Sequence, residues 1–253
     1  MTDVERRTAL EEIAAEVRVC TNCRLHQTRT KAVPGEGDSD TEVVFVGEGP
    51  GENEDRQGRP FIGRSGELLT ELIGSIGWRR DEVFITNVVK CRPPGNRDPQ
   101  PDEIAACSGY LRRQLEVLDP AIVVTAGKYS LASFRPGDRI SASHGTSKPV
   151  DPATGARDAL AFAMYHPAFA LYQASNKQTL VDDIRLLPGA LIASRQRREA
   201  AVEAVAAMPP ASEPTPPGPP ETIAPPTTTT AAPGLASSPP PAPDDATPQL
   251  TLF

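Results

Sequence analysis

VVFVGEGPGENEDRQGRPFIGRSG, residues 43–66, carries the two signals from which the fold is read. The run VVFVG at 43–47 is short, apolar and unbroken, as a strand buried on both faces must be. It passes directly into a turn rich in Gly and Pro. Three similar runs follow: VFITN at 83–87, IVVTA at 122–126 and LAFAMY at 160–165. Helical stretches lie between them near 65–76, 102–118 and 128–134, and another near 177–187 follows the last strand. Pro101 before Asp102 and Glu103 marks a helix start. Strand and helix in alternation predict an α/β fold of three layers, α/β/α, with a parallel four-stranded sheet covered on both faces. In such folds ligands sit beyond the C-terminal ends of the strands.

The unusual residues of the chain fall at those ends. The Gly-rich turn at 47–66 lets backbone approach a ligand closely. It is not a dinucleotide fingerprint, because Pro50 interrupts it and no helix is expected to open there. It is not a P-loop either, since no GK[ST] follows. Asn87 ends the second strand, Asn96 lies in the loop after it, and His166 follows the fourth. One His before Pro is an ordinary structural feature; three polar residues around one Gly-rich turn are harder to dismiss as structural.

Cys20, Cys23, Cys91 and Cys107 are the only cysteines, spaced C-x2-C, then 67 residues, then C-x15-C. A close pair converging with two scattered partners is how a chain holds a four-thiolate metal centre. Zinc ribbons supply two tight pairs, and here only the first is tight, so spacing favours an iron–sulfur cluster over zinc without settling it. A disulfide would need an oxidising compartment, and MTDVERRTALEEIAAEV at the start reads as a charged helix without an apolar targeting core. Four unrelated buried thiols remain the blander alternative, against which C-x2-C argues.

Of the 253 residues, those from 197 on hold 15 of the 28 prolines, a threonine run at 227–230 and almost no large apolar side chains. Such a segment cannot bury enough surface to offset its chain entropy and is expected to stay disordered. Residues 1–196 suffice for one domain. The net charge is −7; six carboxylates against two arginines put −4 on the tail, leaving −3 on residues 1–196. Within that domain Lys90, Arg92 and Arg97 gather around one loop, and Arg56, Arg59 and Arg64 around another. Local basic patches, rather than total charge, bind phosphate, although solvated arginines would look the same. No apolar run is long enough to span a bilayer, and the chain reads as soluble and cytoplasmic.

GEGPGENEDRQGRPFIG at 47–63, TNVVKCRPPGNR at 86–97, YHPA at 165–168 and the cysteines in their order together resemble the iron–sulfur-containing family 4 uracil-DNA glycosylases, over about residues 10–190. The resemblance implies a flavodoxin-like sheet of the uracil-DNA glycosylase type. It implies a monomeric base-excision-repair enzyme that flips uracil out of DNA and hydrolyses its bond to deoxyribose, leaving an abasic site. It also implies a structural [4Fe-4S] cluster on Cys20, Cys23, Cys91 and Cys107. Phe61 would stack on the extruded base, a contact worth about 1–3 kcal/mol that helps offset flipping. Asn87 would donate to uracil O4 and accept from N3–H, a pattern that cytosine reverses. Glu48, Gly49 and Pro50 would line the pocket with backbone. His166 would donate to O2, where charge gathers as the bond breaks. The better-known uracil glycosylases have an aspartate where this chain has Gly49. That leaves Glu48, Glu54 and Asn96 to position water or stabilise an oxocarbenium-like sugar. Lys90, Arg92 and Arg97 would hold DNA phosphates. A related class that cross-links to DNA has a His-containing insertion missing here and a Gln in place of Glu48, so covalent trapping is not expected. His144 and His26 read as loop and structural residues.

QLTLF at 249–253 is similar to the pentapeptide by which bacterial repair and replication proteins bind the sliding β-clamp, with Leu250, Leu252 and Phe253 as apolar anchors and Gln249 as a hydrogen-bonding group. A flexible coil spanning 197–248 would reach roughly 40 Å, and a polyproline II rod at most about 160 Å, so either could tether an enzyme to a clamp. Two other readings are a clamp-associated DNA-binding factor with an inactive pocket, and an enzyme acting on hypoxanthine or xanthine. Intact Asn87, Phe61 and His166 argue against the first, and Asn87 favours uracil over the second.

Overall fold

The computed structural model describes residues 1–171 and 173–206. The first helix, α1 (Asp3–Val19), opens on a capping box in which the Thr2 hydroxyl accepts the Glu5 amide and the Glu5 carboxylate accepts the Thr2 amide. It buries Leu10, Ile13, Ala14 and Val17, a spacing that lines one face of a helix.

Six strands form one sheet: β1 (Glu36–Gly37), β2 (Val43–Gly47), β3 (Phe84–Asn87), β4 (Ile122–Ala126), β5 (Ser147–Pro149) and β6 (Leu160–Met164), in the order β1-β3-β2-β4-β6-β5. The four expected strands are the inner four and all run parallel. The sheet is nevertheless mixed and six-stranded, not the parallel four-stranded sheet that the apolar runs predict. β1 and β5 pair antiparallel at its two edges. Their sequences, EG and SKP, contain no apolar run. Edge strands bury little side chain and are held by backbone pairing, which leaves no hydrophobic pattern to read.

Side chains alternate along each inner strand, so β2 feeds two cores at once. Val43 and Phe45 pack with Leu69, Leu72 and Ile73 of α3 (Arg64–Ser75) and with Leu180, Ile184 and Leu187 of α7 (Ala174–Ala206). Val44 and Val46 pack on the opposite face with Leu111, Leu115 and Leu118 of α4 (Pro101–Leu118), Phe134 of α5 (Lys128–Phe134) and Leu10 of α1. Three layers result. A smaller core joins α1 to Leu25, Val89, Cys91 and Cys107.

Two further elements depart from the sequence reading. A short helix, α2 (Glu52–Gln57), opens inside the Gly-rich turn where none was expected. Glu52, Glu54 and Asp55 crowd its first turn and suit its positive end, and Gly58 closes it at φ 78°. A one-turn helix, α6 (Ile140–Ser143), precedes β5. At the other end, α7 runs through the expected domain boundary at 197 as far as Ala206. Its Ala- and Glu-rich end favours helix, and its basic pair is tied down: Arg197 donates to the Asp158 carbonyl, and Arg198 to the Asp119 carbonyl and carboxylate. The rest of the expected linker, to 248, and the pentapeptide at 249–253 lie outside the described residues. Among the described residues no helix is long and apolar enough to cross a membrane.

Candidate active site

The C-terminal ends of β2, β3 and β6 meet at a cavity of about 340 Å³. Glu48, Gly49, Pro50, Glu54, Phe61, Asn87, Asn96 and His166, the full set of catalytic and base-binding candidates, line it. Residues far apart in sequence converge because parallel strands end on one edge. Gly47 and Asn87 are register partners, and the Val88 and Val89 amides donate to the Gly47 and Glu48 carbonyls at 2.9 and 3.1 Å.

Asn87 is buried, and its Oδ1 has no hydrogen-bond partner. An unpaired buried acceptor carries a desolvation cost of about 1–3 kcal/mol, so its presence at a cavity wall marks a position awaiting a donor. Phe61 and His166 stand together, with ring centroids 5.5 Å apart and planes 28° from parallel. The His166 Nδ1 accepts the Ala168 amide at 3.1 Å, which leaves the ring proton on Nε2. Burial pushes the His166 imidazole down to about 4, against a smaller upward pull from Glu54. At neutral pH His166 is therefore an uncharged N–H donor.

The acidic candidates are differently disposed. Glu54 is buried, and its Oε1 accepts the Ile62 and Gly63 amides at 2.9 and 2.8 Å. Glu48 accepts the Tyr129 amide at 3.0 Å; burial raises its carboxyl above the usual range, the Tyr129 amide opposes this and Asp98 adds to it. Asn96 sits at φ 55°, its Oδ1 accepting from Arg92 Nε at 2.7 Å. Sequence reading missed Ser65 and Asp98, which also line the cavity. The Asp98 carboxylate accepts from Lys128 Nζ and the Tyr129 hydroxyl, both at 2.8 Å, and so joins the loop after β3 to α5. Nothing in the sequence pairs Asp98 with residues 30 positions away.

One basic candidate is misplaced by the sequence reading. Lys90 is 1 % exposed and donates to Thr86 Oγ1, the Asn87 carbonyl and Gln114 Oε1 at 2.6, 2.8 and 2.7 Å, so it is a buried structural cation and not a phosphate ligand. Burial pulls its ammonium down to about 7. The inward bend of the chain after β3, invisible to charge counting, decides this. Arg92 and Arg97 do reach the surface, Arg97 with a two-pronged pairing to the buried Glu103 carboxylate at 2.8 and 2.6 Å.

The four cysteines line a second cavity with Arg29, Lys90 and Tyr110. Three of the sulfurs are met by donors: Arg29 Nη1 to Cys91 at 3.0 Å, the Lys90 amide to Cys107 at 3.3 Å and the Asn22 amide to Cys20 at 3.5 Å. Burial pushes the Cys107 thiol up to about 11, with Lys90 opposing. Among the described residues no three His, Cys, Asp or Glu converge on a single ion, while all four cysteines line this one small cavity.

A family model of the uracil DNA glycosylase superfamily matches residues 34–185. The chain is 48% identical over 181 residues to a type-4 uracil-DNA glycosylase of Sulfurisphaera tokodaii, covering 70% of this chain and 82% of that protein. It is 44% identical over 181 residues to a type-4 enzyme of Thermotoga maritima, covering 71% and 93%. With a type-4 enzyme of Archaeoglobus fulgidus it shares 40% over 191 residues, covering 74% and 96%. The chain belongs to the uracil DNA glycosylase superfamily and, within it, to the type-4 uracil-DNA glycosylases.

His166 generates a pH prediction. Its imidazole titrates near 4 in the fold against an ordinary 6.5, so the unfolded chain takes up the proton first as pH falls. The stability owed to a neutral His166 is complete above about 6.5 and declines toward 4, by up to about 1.4 kcal/mol per pH unit. In urea titrations between pH 7 and 4.5, His166→Gln should flatten this slope relative to wild type; parallel curves would contradict the assignment.

Proposed function

We propose that this protein removes uracil from DNA by hydrolysing the N-glycosidic bond, leaving an abasic site for base-excision repair. The observation that carries the reading is the unpaired, buried Asn87 Oδ1 in a cavity walled by Phe61 and His166. That acceptor suits uracil N3–H, the neighbouring amide NH2 suits O4, and cytosine offers the opposite pattern at both positions. Phe61 supplies the face on which an extruded base stacks, and the backbone of Glu48, Gly49 and Pro50 closes round it. The proton held on Nε2 lets neutral His166 donate to O2 as negative charge develops there, with no proton transfer required. Glu48 and Asn96 are the groups we assign to water and to the cationic sugar. Arg92 and Arg97 are the phosphate contacts in this reading; Lys90 is not.

Cys20, Cys23, Cys91 and Cys107 would hold a [4Fe-4S] cluster. An all-cysteine set lining one cavity, with only one tight pair in sequence and with N–H groups donating to Cys20, Cys91 and Cys107, supports it. Its part is structural, because glycosidic hydrolysis moves no electrons; it would pin α1 to the loop and helix that carry Cys91 and Cys107. We further read the chain as a cytoplasmic monomer. The segment from 207 to 248 is read as a tether, and Gln249, Leu250, Leu252 and Phe253 as anchors on the bacterial sliding β-clamp.

Three measurements test these readings. Uracil release from a single-uracil oligonucleotide, with EDTA present, should be clear in wild type. It should fall by about 10²–10³ in His166→Ala, the scale of a lost oxyanion donor; no release by cluster-loaded wild type would refute the function. Cys91→Ser should lower both iron per chain and the unfolding midpoint, while iron content equal to wild type would rule out this ligand set. Deleting 249–253 should abolish binding to the clamp yet leave oligonucleotide cleavage unchanged; retained clamp binding would remove the tail from the account.

A further inference from the structure

Phe61 holds φ at +49°, the left-handed region that a bulky aromatic rarely adopts. The peptide groups on both sides of it are held from outside. Following it, the Ile62 and Gly63 amides donate to one atom, Glu54 Oε1. Preceding it, the Pro60 carbonyl accepts from Arg80 Nη2 at 2.7 Å, and the same nitrogen is fixed by Glu36 Oε1 at 3.1 Å on edge strand β1. Behind it, Gly66 leaves room for the Phe61 carbonyl; a Cβ there would come within 1.9 Å of that oxygen.

We propose that Glu54 and Arg80 are positioning residues that hold Phe61 in its strained conformation as the stacking platform opposite His166. The proposal rests on the uracil reading of the cavity. Glu54 acts through its oxygen and not through its charge: both amides go to a single acceptor atom with two lone pairs, which a carboxamide also provides. Arg80 lies outside the cavity and reaches it only through the Pro60 carbonyl, and Glu36 explains why a two-residue edge strand matters to the site.

The test compares wild type, Glu54→Gln, Glu54→Ala and Arg80→Ala, each alone and combined with Phe61→Ala. KM and kcat for uracil release and inhibition by free uracil are read, and thermal unfolding confirms that each variant folds. Glu54→Ala and Arg80→Ala should each weaken free-uracil inhibition about tenfold, the scale of one or two lost hydrogen bonds, and lower kcat/KM with it. Glu54→Gln should stay within about threefold of wild type, because its oxygen still accepts both amides. In the Phe61→Ala background neither alanine substitution should cost more than about twofold, since coupled residues lose their effect once the shared element is gone. Glu54→Gln as impaired as Glu54→Ala would assign the role to charge and overturn the proposal for Glu54. Losses undiminished in the Phe61→Ala background would overturn it for both. Ring signals of labelled phenylalanine give a second readout: Glu54→Ala and Arg80→Ala must shift the Phe61 resonance and Glu54→Gln must not. That readout holds even if wild type releases no uracil, an outcome that would refute the function and not the positioning. Should Glu54→Ala fail to fold, Arg80→Ala carries the same test from the outer side.

Discussion

The cavity depends on strand β2 ending without a side chain. A Cβ at Gly47 would lie 2.4 Å from Asn87 Oδ1 and 2.4 Å from Phe61 Cζ, closer than any real contact. Because Gly47 has none, the amide from β3 and the ring from the loop after α2 both close onto its backbone and face the same space. Gly49 repeats the device two residues on, where a Cβ would meet Val89 at 2.8 Å. Neither glycine is used for an unusual backbone angle; each is used for close approach, which is the other reason a chain places glycine at a site.

Lys90 joins the two halves of the molecule's chemistry. Its amide donates to Cys107 Sγ, it precedes Cys91, and its ammonium bonds the carbonyl of Asn87. Gln114 receives that ammonium through Oε1 and passes its own NH2 to the Pro34 carbonyl, which Thr86 Oγ1 also reaches. A buried amino group with three acceptors tolerates little displacement, because each lost bond leaves a buried polar atom unpaired. The strand end that presents Asn87 is thereby fixed from behind by the same residue whose amide donates to Cys107. Order at the cysteines and order at the amide are one property of this fold.

The inner sheet and the strand-end residues Asn87 and His166 were legible in the sequence for definite reasons, whereas Phe61 and Glu48 came only with the family resemblance. Strands buried on both faces must be apolar throughout, so VVFVG and IVVTA announce themselves, and polar residues at such strand ends have few places to be except a site. What escaped reading lacks those constraints. EG and SKP pair by backbone and bury little. The helix at Glu52–Gln57 is too short for periodicity to register, and the continuation of α7 to Ala206 was masked by the proline-rich composition that follows. Lys90 was misread because a cation beside two arginines looks like part of a basic patch until the strand places it inside. Asp98 and Arg80 escaped because their roles exist only across the fold, through Tyr129 and Pro60.

Four of the arginines near the cavity are paired in a way that bears on an acidic protein acting on DNA. Arg92 bonds Asn96 and lies 3.6 Å from Glu52, Arg56 also pairs with Glu52, Arg59 pairs with Glu36, and Arg97 pairs with Glu103. An anion meeting Arg56, Arg59, Arg92 or Arg97 must replace or share a partner that guanidinium already has. Binding then gains only the difference between two pairings, and the count of arginines overstates the attraction. On the reading proposed above, discrimination falls instead to groups that have no partner until a base enters. In this cavity that description fits Asn87 Oδ1, buried and unpaired, far better than any surface arginine. Those arginines meet their carboxylates at the surface, while the cost of an empty pocket is concentrated on one buried acceptor, Asn87 Oδ1.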